Sequence, residues 1–148
     1  MMRNPFFRMT DETLLQWLDR DARHLSARFR LPLVRLDQEH LRVKRRFGSC
    51  DSEGVIRLRL RNRRNGDYLR YSSLVATLCH ELAHLRFMDH GHGFRSLYAE
   101  ILRFARATEI YRPRAVPAGR KTSSRRAALN PRRRTGRGRR TAARRPAR

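Results

Sequence analysis

The chain's 148 residues suffice for one domain and not comfortably for two, and its formal charge of +23 is extreme for that size. The charge is unevenly placed: residues 112–148 carry fourteen Arg, one Lys and no acid, so they contribute +15 and leave +8 for residues 1–111. Two cysteines, Cys50 and Cys79, do not make a disulfide framework, and no apolar run is long enough for a signal peptide or a bilayer span. A monomeric cytoplasmic protein with no membrane partner is expected, associated with the nucleoid if its tail binds DNA.

In chain order, Thr10 can cap a first helix, with Asp11 and Glu12 at its positive end and Leu14, Trp17, Leu18, Leu25 and Phe29 at helical spacing; Pro32 would end it. Three segments then alternate rather than spiral: LVRL at 33–36, LRVKRRF at 41–47 and VIRLRLR at 55–61. In the last, Ile56, Leu58 and Leu60 share a face opposite Val55, Arg57, Arg59 and Arg61, which predicts a strand with one wet side. The GSCDSEG stretch between the second and third segments reads as a turn, and RNRRNGDY as a loop. Ser72 or Ser73 can cap a second helix with the stripe Leu74, Leu78, Leu82 and Leu85, and a last helix is expected from about Phe94 to Ile110. The order predicts a small α+β domain over residues 1–111, a helix, a three-stranded antiparallel or mixed sheet and two further helices, followed by an Arg-rich tail over 112–148. The tail lacks core-forming residues and carries Pro113, Pro117, Pro131 and Pro146, so it is expected to be disordered when free.

Four of the six histidines lie between Thr77 and Phe94. His80 and His84 are one turn apart on a predicted helix, which lets two imidazoles hold one zinc ion. Glu81 sits about 100° round the helix from His80. That is too far to be the obvious third ligand but near enough to reach a water on the metal and take its proton. A helix continued through residue 90 would carry His90 off the metal face, so it must stop first, and Asp89, Gly91 and Gly93 offer that stop. His90 is then the expected third ligand, with His92 the alternative that spacing leaves open. Cys79 is expected in the core, Cys50 in a buried turn, and His24 and His40 at the surface.

The motifs Phe47-Gly48-Ser49-Cys50, Gly54 to Leu60, His80-Glu81-Leu82-Ala83-His84 and His90 followed by Phe94 together resemble the YgjP-like and SprT-like zinc metallopeptidases. The resemblance implies a zincin-like, gluzincin-type core in which His80, His84 and His90 hold Zn2+, Glu81 is the general base, and the strand at 54–60 offers an exposed edge to an extended peptide substrate. No oxyanion-stabilising residue is assigned; Tyr68, Tyr71 and Arg63 are only considered. SprT-like relatives cut proteins crosslinked to DNA, a task that would suit runs such as Arg132 to Arg134 as non-specific phosphate-binding segments. The competing reading is a nucleic-acid-binding protein whose zinc domain is structural or catalytically silent. A carboxylate beside an open metal position argues for the enzyme.

Overall fold

A computed structural model describes residues 8–113. The described residues all lie in one compact unit that spans Met1–Ala115. Beyond Arg112 and Pro113, the tail expected to be disordered falls outside them. The elements run α1 (Asp11–Phe29), β1 (Arg35–Gln38), β2 (Gly48–Cys50), β3 (Val55–Leu58), α2 (Tyr71–His84) and α3 (His92–Ala107). This is the α+β arrangement of three helices and three strands that the sequence predicts. No helix among the described residues is long and apolar enough to cross a membrane.

Local chemistry sets the ends of α1. The Thr10 side chain accepts from the Thr13 backbone N–H at 3.1 Å. At the other end Arg30 adopts left-handed angles (φ 53°, ψ 47°), and Leu31 N–H bonds back to Ser26 O at 2.8 Å. The helix therefore closes through this reversal, before Pro32 is reached. Leu14, Leu18, Ala22 and Leu25 bury one side of α1.

The sheet has the order β1-β3-β2, with β1 parallel and β2 antiparallel to β3. Two expectations are corrected. Residues 41–47 form a loop: carbonyls that a strand would pair are taken by arginine side chains, Arg59 Nη2 donating to Val43 O at 2.6 Å and Arg63 Nη1 to Lys44 O at 3.4 Å. The strand instead begins at Gly48, so the first half of the presumed turn is β2 and only the segment after Cys50 reverses the chain. There the Asp51 carboxylate accepts from the Glu53 and Val55 N–H groups, each at 3.0 Å.

Helix α2 starts at Tyr71, so Ser72 and Ser73, the expected caps, lie inside it, and Arg70 at the cap position makes no side-chain cap bond. Tertiary packing replaces the local cap: the Tyr71 hydroxyl donates to the buried Asp21 carboxylate of α1, and its ring meets Trp17 edge-on. Leu74, Val75, Leu78, Cys79 and Leu82 of α2 are fully or nearly fully buried, against Ile56 and Leu58 of β3, Leu18 and Leu25 of α1, and Ile101 of α3. The core thus clamps α2 on its apolar side and leaves the His80–His84 edge at the surface of the packed layer.

Candidate metal centre

Helix α2 places His80 and His84 with ring centroids 4.8 Å apart. The helix stops at His84, where Leu85, Arg86 and Phe87 bond back to Leu82 and Ala83 carbonyls, and the chain then turns through Asp89 and Gly91 into α3. His90 lies on that turn, held by Arg95 Nε donating to its carbonyl at 3.1 Å. The stop demanded by the spacing argument is there. The three Nε2 atoms converge: His84 to His90 at 3.0 Å, and His80 to each of the others at 3.2 Å. His92, the first residue of α3, is exposed and outside this grouping; half-buried Cys50 and buried Cys79 are outside it too.

The triad rests on one aromatic floor. Phe94 is 3% exposed, and its ring centroid lies 4.8, 4.5 and 4.8 Å from those of His80, His84 and His90. Beyond it Tyr98, one turn along α3, stacks on Phe94 and reaches His80 edge-on at 5.6 Å. Close packing also needs Gly93, since a Cβ there would stand 2.7 Å from the Phe87 ring.

The donor set suits a metal. Three nitrogens that each touch the other two cannot all be joined by hydrogen bonds, because each ring nitrogen of a neutral imidazole is either a donor or an acceptor and at least two of the three are alike. His84 Nδ1 lies 2.9 Å from Phe87 O, a carbonyl that can only accept, so the His84 proton sits on Nδ1 and its Nε2 lone pair faces the centre. Burial, and then the charges of His84 and His90, hold His80 below the usual imidazole pKa and so in the neutral, ligating form. A triangle of this size lets one zinc ion stand about 2.0–2.1 Å from all three nitrogens.

Glu81 is 6% exposed and lies beside β2. Burial pushes its carboxyl up to about 7; the nearby Arg46 cation opposes that rise and the Glu39 charge adds to it. Glu39 is itself buried. It accepts from Ser49 Oγ at 3.0 Å and from the His40 N–H at 3.2 Å, and pairs with Arg46 at 3.4 Å. A cleft of about 370 Å³ is lined by Arg46, Phe47 and Gly48 on one side and by Thr77, His80, Glu81 and Tyr98 on the other.

The cleft corrects the expectation of an exposed edge at 54–60. β3 is the central strand, with both edges paired; the free edge beside the cleft belongs to β2. Phe47 and Asp51 bond to Arg59 and Val55 across the hairpin, so by antiparallel alternation Gly48 and Cys50 turn their backbone groups the other way. Tyr68 and Tyr71, considered for the oxyanion, are committed elsewhere: the Tyr68 hydroxyl to Asp11 and Arg61, the Tyr71 hydroxyl to Asp21. Arg46 and Tyr98 are the cleft residues that sequence reasoning missed. The signal for Tyr98 was present, since it follows Phe94 by four residues on one helix face.

Gly48 is required by this close approach: a Cβ there would stand 2.9 Å from Thr77 Cγ2 and 3.0 Å from Glu81 Cγ. Both obstacles are side chains, so Gly48→Ala should shift Glu81 at a stability cost of only about 1 kcal/mol. Any reaction that Glu81 serves in this cleft should nevertheless slow at least about tenfold, because the carboxylate is displaced. Denaturant melts and cleavage rates on the same preparation check this; unchanged cleavage would show that Glu81 tolerates the shift.

A small α+β domain whose second helix and its exit loop gather three imidazoles beside a buried glutamate is the arrangement of a candidate metal site. The WLM domain model matches residues 48–146, more than half the chain, and the chain belongs to that family. Among solved structures it is similar to Wss1 from Saccharomyces cerevisiae, 22% identical with a TM-score of 0.59 over 65% of this chain and 77% of that one. It is likewise similar to a Wss1 mutant from the same yeast, 21% identical with a TM-score of 0.60 over 66% and 79%. At these identities the likeness shows a shared fold. No curated protein matches in sequence. The family shown is therefore WLM, and the likeness of the motifs to the YgjP-like and SprT-like branches stays a resemblance.

Proposed function

We propose that the protein is a zinc metallopeptidase acting on proteins attached to DNA. The observation that carries this reading is the convergence of the His80, His84 and His90 Nε2 atoms within 3.2 Å of one another, beside a cleft that His80 and Glu81 both line. The family and fold support it. His80, His84 and His90 would hold the zinc ion, which when bound supplies a Lewis acid and a water that is nucleophilic near neutral pH.

The chain's own groups do the rest. An extended peptide pairs with the outward backbone groups of Gly48 and Cys50, which holds its scissile carbonyl across the cleft mouth. Glu81, in its ionised form, accepts the proton of the attacking water at its carboxylate and returns it to the departing amine. The Phe87 carbonyl keeps the His84 proton on Nδ1, and Phe94 fixes the planes of all three rings. A purely structural zinc site would have filled its fourth position with a protein ligand; among the described residues the grouping has three.

The substrate class follows from the SprT-like resemblance together with the Arg-rich tail, whose fifteen cations on 37 residues can track a phosphate backbone without folding. Truncation after Arg112 should flatten the salt dependence of duplex binding by about 0.9 in log–log slope for each phosphate that the tail neutralises. It should weaken binding of unrelated sequences alike, with zinc content and melting temperature nearly unchanged. The functional test is cleavage of a protein covalently crosslinked to DNA, by full-length and truncated chains. Cleavage of the crosslinked protein that is faster than that of the free protein, and slowed by truncation, supports the reading. Zinc-loaded protein that cuts neither overturns it.

A further inference from the structure

The charge of the globular part is concentrated. Residues 40–47 and 59–66 contain eight Arg and Lys residues and no acid. The two segments are tied together: Arg59 and Arg63 donate to the Val43 and Lys44 carbonyls, and the Arg59 guanidinium lies 5.4 Å from the Phe47 ring centre. Arg46 and Arg61 meet carboxylates, Glu39 and Asp11 respectively. The other six, Arg42, Lys44, Arg45, Arg59, Arg63 and Arg64, meet none among the described residues. Between the segments lies a groove of about 340 Å³, lined by His40, Leu41, Arg59, Arg61 and Arg63, with the Arg46-paired Glu39 also in its lining. Two large apolar side chains stand out among these cations, Leu41 at 78% and Phe47 at 58% exposure.

We propose that this shoulder is a docking surface for single-stranded nucleic acid, separate from the Arg-rich tail. Unpaired cations on two loops held at fixed separation fit a phosphate backbone, and the exposed ring and leucine offer unstacked bases an apolar platform. A duplex hides its base faces and would use only the cations. An acidic peptide would also use the cations, but has no bases to place on Phe47. Arg46 and Phe47 also line the cleft beside Glu81, so a strand on the shoulder runs alongside that cleft. This placement would present a protein joined to the strand to the site, and that part rests on the peptidase reading. The binding itself does not.

The test uses the full chain carrying Glu81→Gln, which keeps self-cleavage out of the measurement. Binding of a labelled oligothymidylate and of a duplex is titrated over a range of salt. Arg42→Gln, Lys44→Gln and Arg45→Gln together should weaken the oligothymidylate at least about tenfold. They should also lower its log–log salt slope by about 2, at roughly 0.7 for each single-strand phosphate neutralised. A control with Arg28→Gln, Arg103→Gln and Arg106→Gln removes the same charge from α1 and α3 and should change both values little. Phe47→Ala should weaken the oligothymidylate about tenfold while sparing the duplex. Equal losses in the shoulder and control variants would overturn the surface, reducing it to net charge. Equal effects of Phe47→Ala on strand and duplex would overturn the stacking platform. Displacement of the strand by oligoglutamate of equal length at equal concentration would overturn the nucleic-acid assignment in favour of an acidic peptide. Each readout is binding, so loss of the peptidase reading would leave these outcomes intact.

Discussion

Glu81→Gln should leave fold and metal content as they are and lower peptide hydrolysis by about 10²–10⁴-fold, the range that a positioned general base contributes. The amide occupies the same volume beside Gly48 and Thr77 but cannot take a proton from water. Its neutral charge also removes the like-charge pressure from Glu39 and the burial cost that raises the wild-type carboxyl, so the variant should melt no lower than the parent. In the metal-free protein, a carboxyl raised in the folded state from its ordinary 4.5 to about 7 favours folding of the protonated form. The native advantage is full below the ordinary value and fades as pH rises through about 7. Glu81→Gln should therefore flatten the fall in stability of metal-free protein across that window. Thermal melts at several pH values, with single-turnover cleavage by the metal-loaded pair, check both halves. Undiminished hydrolysis by Glu81→Gln would remove the role assigned to Glu81.

The second large effect is on the metal. His84→Ala should reduce bound zinc from about one per chain to near none, because two imidazoles alone make a poor site for this ion. It also deletes the one ring whose proton is fixed by a backbone carbonyl. His80→Ala should do the same, and His90→Ala should lose most of the metal. His92→Ala is the discriminating control. That side chain is exposed at the first position of α3 and outside the triad, so its variant should keep full zinc. Metal analysis of dialysed protein decides it. Full zinc in His90→Ala together with loss in His92→Ala would reverse the ligand assignment.

Much of this site was legible because its determinants are local. His80, Glu81 and His84 lie within one and a half turns of a helix whose apolar stripe is plain in the sequence. His90 is placed by the need for that helix to stop. The sheet was less legible because strand identity depends on distant partners. Gly48–Cys50 has the composition of a turn, and it becomes a strand through pairing with Val55–Leu58 and through packing on α2, where only glycine leaves room for Glu81. Conversely 41–47 alternates like a strand, but its carbonyls are taken by Arg59 and Arg63, sixteen and nineteen residues away from Val43 and Lys44. The same long-range placement brings Arg46 into the cleft, which no spacing rule over a helix could have shown. It also gathers charge that the sequence alone spreads over the whole domain.

Everything proposed for the cleft depends on His80, His84 and His90 holding a zinc ion that keeps one position open. X-ray absorption at the zinc edge, on full-length protein purified without added metal, tests it most directly. The expected result is about one zinc per chain, with three imidazole nitrogens at about 2.0–2.1 Å and one oxygen, and no sulfur in the coordination sphere. Loss of one nitrogen in His90→Ala should accompany whatever metal remains. A sphere containing sulfur, or a fourth protein nitrogen closing the site, would rule out an open three-histidine zinc centre.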